Sequence, residues 1–169
     1  MSFEVGPLRA MAHPVRLQIL SLLTGAQLSA TEVAQELDIT QANASYHLRQ
    51  LLAAGLLVVA EERSIRGGVA KIYRHPHETP TRRSASPGAD RMFVQALADE
   101  LVRRSSLRRT EGRSTSTDAE LWVEPEAWTE AVDAVLAASV RLHAAARPPR
   151  TPGTIRTSTT AVLFQMERD

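Results

Sequence analysis

The chain has no cysteine among its 169 residues. Disulfide bonds, thiolate metal sites and cysteine nucleophiles are therefore excluded, and only histidine and carboxylate remain as plausible metal ligands. Aromatic residues are few, at 4%, but hydrophobic residues make up 43% of the chain, which is enough for a core. There is no apolar run of about eighteen residues and no signal-peptide pattern at the start. We expect a cytoplasmic protein that does not contact a membrane.

The charge balance also carries little information, because the formal net charge is only +1. A nucleic-acid binder of this composition must depend on a local cluster of basic residues, not on a basic total. Enzyme motifs are missing as well: there is no glycine-rich phosphate loop, no H-E-x-x-H and no recognisable pair of titratable groups. We therefore expect a protein that is not an enzyme and needs no cofactor.

The stretch SATEVAQELDITQANASYHLRQLLAAG, residues 29–55, predicts a helix-turn-helix. Ser29 stands three residues before Glu32, the spacing of a capping box at a helix start. Asp38 and Ile39 then interrupt the first helix, and Thr40 is placed to cap a second one.

The predicted second helix separates its residues by face. At about 100° per residue, Ala44, Leu48 and Leu51 lie together on an apolar face. The opposite face carries short side chains near the helix start and then an aromatic and a cationic residue, which suits insertion into a DNA major groove. The alternative is an ordinary amphipathic helix with a solvated polar face.

Residues 8–23 before this motif have apolar side chains at helical spacing, and Pro14 divides them into two helices. His13, at the junction, is expected to act as a structural cap and not as a metal ligand or sensor.

Residues 56–74 after the motif predict a β-hairpin, with Gly67 and Gly68 at the turn. Arg63, Arg66 and Lys71 surround its tip. This hairpin is interpreted as a wing that touches DNA phosphates or a minor groove, and the alternative is a charged, solvated sheet edge.

Three runs together resemble the winged helix-turn-helix of ArsR-type bacterial transcription regulators: AMAHPVRLQILSLL, SYHLRQLLAAGLL and, at the end of the hairpin, KIYR. The resemblance covers residues 8–75 and implies a winged-helix fold and a homodimer. It also implies that DNA is read by Gln41, Ala42, Asn43, Ser45, Tyr46 and Arg49.

The chain departs from that family at its metal sites. Metal-sensing members carry cysteines where this chain has Ser29-Ala30-Thr31, and the helix after Asp90 lacks the histidine of the family's other site. The remaining candidate, His75-Pro76-His77-Glu78, is an incomplete ligand set in a loop. We therefore expect no metal.

The region after the hairpin begins with a linker at residues 76–89, which is rich in Pro, Ser and Thr. A helix over residues 90–108 has an apolar stripe, and the resemblance implies that it forms the dimer seam together with the first helix. The following residues predict a strand at 119–124, a helix from Pro125 and a final strand at 154–167. This extension could enlarge the dimer or line a pocket for an unknown apolar effector, with packing the more common role for such residues. The candidate pocket residues are Trp122, Trp128, Leu142 and Phe164.

The sequence thus predicts a mainly α fold with a small β component (α+β). A winged helix-turn-helix DNA-binding domain at 1–75 is followed by the linker at 76–89 and by a dimerisation or ligand-binding extension at 90–169. The predicted function is a homodimeric, sequence-specific regulator of transcription that binds double-stranded DNA, with repression as its simplest mode. A winged helix that contacts another protein, without specific DNA binding, is the competing hypothesis.

Overall fold

A computed structural model describes residues 6–65, 68–76 and 87–167 of the chain. Helices and strands follow in this order: α1 Pro7–Met11, α2 Pro14–Gly25, β1 Leu28–Ser29, α3 Ala30–Leu37, α4 Gln41–Ala53, β2 Val58–Ile65, β3 Gly68–Arg74, α5 Pro87–Ser105 and α6 Pro125–Ala144. The strands form one antiparallel sheet in the order β1-β3-β2, so the architecture is α+β with a winged helix-turn-helix.

The starts of α2, α3 and α4 are fixed by local side-chain caps, as the sequence predicts. The Oγ of Ser29 accepts from the N–H of Glu32, and the Glu32 carboxylate accepts from the N–H of Ser29, which completes the capping box. Thr40 accepts from the N–H of Asn43 at the start of α4. His13 accepts from the N–H of Val15 through Nδ1, which confirms its role as a cap.

The sheet joins the wing to the helix-turn-helix. Strands β2 and β3 form the predicted hairpin, and β1 adds two residues to it, with Leu28 opposite Tyr73 and Ser29 opposite Ile72. The ladder is irregular between Val59 and Glu61. The predicted Gly67-Gly68 turn falls partly outside the described residues.

The core lies between α2, α3, α4 and the root of the wing. Its largest fully buried hydrophobic side chains include Ile19 and Leu23 from α2, Val33 from α3, and Leu48 and Leu51 from α4. This is the apolar face that the 3.6-residue periodicity predicts for α4.

Helix α5 packs on α1 and α2 through a buried carboxylate. Glu100 is only 1% exposed and accepts from Gln18 Nε2 at 2.6 Å, from Arg103 Nη2 at 2.9 Å and from Arg104 Nε at 3.2 Å. Burial alone would raise the pKa of Glu100, but the hydrogen bonds from Arg103 and Gln18 outweigh it, so the pKa is lowered. The ionised carboxylate thus attaches α5 to α2.

The two predicted C-terminal strands are wrong, because residues 119–124 and 154–167 have no regular secondary structure. Each has the composition of a strand, but a strand needs a neighbour for its backbone N–H and C=O groups, and neither segment pairs with one within the described residues. Helix α5 also begins at Pro87, inside the predicted linker, since proline suits the first turn of a helix.

Helix α6 is present as predicted but buries none of its residues. The interpretation of a pocket lined by Trp122, Trp128, Leu142 and Phe164 is not supported in the single chain. Trp122 is 87% exposed, Phe164 56% and Leu142 51%, while Trp128 is half-buried, so three of the four side chains face solvent.

The segment after α6 contacts both α2 and α3. A Cβ built on Gly25, at the end of α2, would lie 2.8 Å from the carbonyl oxygen of Arg147, so the backbone approaches closely there. Nearby, Arg150, with a φ of 63°, forms an ion pair with Glu36 of α3. The segment after α6 therefore lies against the end of α2 and against α3.

Candidate nucleic-acid interface

The turn between α3 and α4 sets the direction of the second helix. Asp38 adopts a left-handed conformation with a φ of 53°, which a short polar side chain tolerates better than most, and its N–H bonds to the carbonyl of Ala34. Thr40 then caps α4, so the first turn of α4 projects its side chains away from the core.

The six predicted reading residues lie on the outer side of α4. Five of them are exposed, namely Gln41, Ala42, Asn43, Tyr46 and Arg49, and Ser45 is half-buried. Tyr46 is 52% exposed, a large fraction for an aromatic side chain. The structure therefore gathers these residues into one solvent-facing surface, which we call the reading face.

Arg49 is the only cation of the reading face, and within the part of the chain that the structure describes it has no hydrogen bond or ion pair. It lies near Tyr73 of the wing: burial raises the pKa of the Tyr73 hydroxyl, and the positive charge of Arg49 acts in the opposite direction. The Arg49 guanidinium is thus placed where α4 meets the root of the wing, with its donors available.

The basic residues described in the wing lie beside acidic residues, which the sequence alone does not predict. Arg63 is exposed, but its Nη2 lies 2.6 Å from Oε1 of Glu61 in an ion pair. Lys71 is exposed, and in the strand register it stands opposite Glu62. Arg66 lies outside the described residues. Acidic neighbours on β2 therefore offset part of the charge at the tip.

A partly buried basic cluster, which the sequence pattern alone does not predict, lies directly behind the reading face. Its members are His13, Arg16 and His47. His47, in α4, is only 5% exposed, and its ring centroid lies 4.6 Å from that of His13 and 5.2 Å from that of Tyr46. One signal was present in the sequence: His47 stands three residues after Ala44 and four before Leu51, which is the spacing of the core face.

The histidines of this cluster are neutral near pH 7. Burial, reinforced by the charges of His13 and Arg16, lowers the pKa of His47 to about 4. Burial also lowers the pKa of His13, with Arg16 contributing. Two buried nitrogen atoms of the cluster, Arg16 Nε and His47 Nδ1, have no hydrogen-bond partner.

Metal and membrane features are also absent from the described ranges 6–65, 68–76 and 87–167. No three His, Cys, Asp or Glu side chains in them come close enough together to hold a metal ion. His75 instead donates its backbone N–H to Leu23, and its Nδ1 lies 2.7 Å from the carbonyl oxygen of Leu56, while His77 and Glu78 fall outside these ranges. Within the same ranges, no helix has both the length and the apolar character needed to cross a membrane.

Comparison with known proteins identifies the helix-turn-helix. Residues 11–60 match the family model described as "Helix-turn-helix domain", so the chain carries such a domain. No curated protein matches the chain. Seven chains of known structure match it. Among them is a possible transcriptional regulatory protein (fragment 1–100) from Mycobacterium bovis, with 31% identity and a TM-score of 0.34, over 54% of this chain and 85% of that one.

Proposed function

We propose that this protein is a homodimeric, sequence-specific DNA-binding regulator of transcription, of the ArsR type but without metal sensing, and that it acts as a repressor in the cytoplasm. Each protomer inserts α4 into a major groove and lays its wing, residues 63–71, on the flanking backbone or minor groove. The two half-sites lie about 10 base pairs apart or a multiple of that distance. Repression is the simplest mode, because a small dimer on DNA blocks access to a promoter.

The observation that carries this proposal is the reading face of α4. This face presents the polar side chains of Gln41, Asn43 and Ser45 over the first two turns and ends in Arg49, which has no partner among the described residues. In this scheme Arg49 forms a bidentate contact with guanine, and Ser45 and Asn43 contact base edges or phosphate. Tyr46 contacts phosphate or a thymine methyl group, and Gln41 and Ala42 complete the surface at the start of the helix.

The wing supplies affinity in this scheme, not sequence selectivity. Arg66 and Lys71 contact phosphates, and Arg63 contributes once the duplex competes with Glu61 for its guanidinium. Substitution of Lys71 by Ala should therefore weaken binding to all sequences alike and flatten its salt dependence.

The homodimer is supported by the apolar side chains that a single chain leaves exposed. Helix α5 exposes Met92, Val94, Leu101 and Val102, and the extension exposes further large hydrophobic residues. A second copy would cover this surface, and an unidentified effector could bind in the interface so formed.

Selection of bound duplexes from a random pool, followed by binding measurements across salt concentrations, tests the function. Enrichment of an inverted repeat with a steep salt dependence is the expected result. A folded protein that enriches no sequence would contradict it.

Substitution of Arg49 by Ala tests the groove contact. We expect a loss of about 1 to 3 kcal/mol on the selected duplex and a relaxed preference at one base pair. The matched control is Arg141→Ala, which removes the same charge from the exposed surface of α6 and should leave the base preference unchanged.

A second candidate function is contact with another protein through the winged helix. It is favoured by the formal net charge of +1 and by the pairing of Arg63 with Glu61, both of which weaken attraction to DNA. Salt-insensitive binding to a protein, together with an empty duplex selection, would support it.

A further inference from the structure

Arg16 is a cation that has no anionic partner in the part of the chain that the structure describes. It lies in the first turn of α2, its side chain is half-buried and its Nε is fully buried without a hydrogen bond. Among the described residues no carboxylate forms an ion pair with it. A buried or half-buried charge is normally paired, because desolvation without compensation is costly.

The surroundings of Arg16 do not compensate for this cost. Its neighbours, the half-buried His13 and the buried His47, are neutral near pH 7, because the pKa of each is lowered by burial and by the charge of Arg16. Burial lowers the pKa of the Arg16 guanidinium, and the only opposing influence is the hydroxyl of Tyr46, which lies close enough to interact electrostatically. No carboxylate among the described residues supplies this counter-charge, which leaves the guanidinium open to an anion from outside the chain.

Tyr46 shows where such a counter-charge would bind. It belongs to the reading face, is 52% exposed and has its ring centroid 5.2 Å from that of His47. Its electrostatic influence reaches the Arg16 guanidinium, so Arg16 lies near the edge of the surface that the proposed function turns toward DNA. Helix α2 lies beside α4, so Arg16 stands at the wall of the major groove and not over the bases when α4 is inserted. The groups found at that wall are phosphates, and a guanidinium beside a hydroxyl binds their oxygens well.

We infer that Arg16 and Tyr46 together form a phosphate-binding site for one backbone phosphate at the rim of the groove occupied by α4. This inference rests on the proposed DNA-binding function and adds to it a contact made by a helix outside the helix-turn-helix pair. Arg16 provides the charge and Tyr46 a hydroxyl donor. The neutral histidines behind them hold the arginine stem without neutralising it.

The inference predicts that stability and binding respond to the same substitution in opposite directions. Arg16→Met keeps most of the buried stem and removes the charge. The variant should have a melting temperature equal to or above that of the wild type, because an uncompensated cation is lost. It should nevertheless bind the selected duplex about tenfold more weakly at 0.15 M salt, with the slope of log K against log salt reduced by about one. A purely structural arginine would give a lower melting temperature and an unchanged salt slope.

Tyr46→Phe tests whether the two side chains share one phosphate. It removes only the hydroxyl, and its loss should be smaller than that of Arg16→Met. The losses should be less than additive in the double variant, since both groups bind the same ion. Arg141→Met, on α6, is the matched control and should change neither the slope nor the affinity.

The position of the phosphate can be tested directly on the DNA. Neutral methylphosphonate groups are placed one at a time along the backbone of the selected duplex. One position should weaken the wild-type protein but leave Arg16→Met unaffected. If wild type and variant respond alike at every position, the phosphate site is refuted while the proposed function stands. If the wild type binds no duplex at all, both are refuted.

Discussion

The helix-turn-helix part buries its apolar side chains, whereas the extension leaves most of its large apolar side chains exposed. Among the described residues, every buried hydrophobic side chain except Ala96 lies between residues 8 and 73. All the exposed large hydrophobic side chains except Tyr46 and Val69 lie after residue 90. In the first part, short helices pack on one another and on a sheet, whereas the second consists of two long helices, α5 and α6, joined and followed by irregular chain. Apolar content alone therefore does not make a core, because the elements must also meet.

Two leucine-to-alanine substitutions, one in each region, should show the largest difference between the buried core and the exposed helix. Leu48→Ala, in the core face of α4, should lower the free energy of unfolding by roughly 3 to 4 kcal/mol, because it leaves a cavity. Leu136→Ala, in α6, should change it by less than about 0.5 kcal/mol, because that side chain is already 54% exposed. Urea unfolding at low protein concentration measures both values. An equal loss in the two variants would show that α6 is packed in solution, and a loss for Leu136→Ala that appears only at high concentration would show that a second copy covers it.

The buried His47 should make the stability of the helix-turn-helix part depend on pH. The pKa of His47 is about 4 in the folded chain and near its ordinary value of 6.5 when unfolded. The unfolded state therefore binds more protons at pH values below about 6.5, so stability is complete above that pH and falls as the pH approaches 4. The loss should reach about 2 to 3 kcal/mol.

His47→Leu is the variant that tests this pH dependence. Urea unfolding between pH 7 and pH 4 should show a flatter profile for it, and the smaller slope that remains is due in part to His13, whose pKa is also lowered. A variant with the same slope as the wild type would place the acid sensitivity elsewhere.

The smallest effect is expected where the two regions touch. Gly25→Ala puts a methyl group against the carbonyl oxygen of Arg147, so the exposed segment after α6 should move away from α2. We expect a change in unfolding free energy below about 1 kcal/mol, but faster tryptic cleavage after Arg150, whose ion pair with Glu36 would be lost. Gly88→Ala is the control, since a methyl group there has no atom of the described residues within 4 Å. Equal cleavage rates in the two variants would mean that the contact does not hold the segment.

The elements that the sequence predicts well are those fixed by nearby residues. The capping box at Ser29, the caps at Thr40 and His13 and the apolar face of α4 all depend on side chains within a turn or two, and all are present. The two C-terminal strands are wrong because a strand depends on a distant partner that composition does not reveal. Strand β1 was missed for the converse reason, since two residues have no periodicity of their own and pair only because β3 lies beside them.

The candidate site also contains residues that local spacing predicts and one residue that depends on contacts between distant segments. Helical spacing predicts which side chains of α4 share the reading face, and it could have placed His47 on the other side. No pattern in the sequence identifies Arg16, because its importance comes from what it lacks, an anionic partner, and that is visible only once α2 and α4 are side by side. Whether the reading face contacts DNA as predicted remains a prediction for the experiments above.

Ser29 belongs to two structures at once: it pairs with Ile72 of the wing as a strand residue, and it caps α3. The wing cannot tilt against the helix-turn-helix without opening either this pairing or the cap. If the protein binds DNA as proposed, the helix-turn-helix and the wing would therefore meet the duplex as one preorganised body, with little loss of conformational entropy. On the proposed function, any misfit must then be absorbed by bending of the duplex. Since the stiffness of DNA varies with its sequence, base pairs that no side chain touches should still affect affinity.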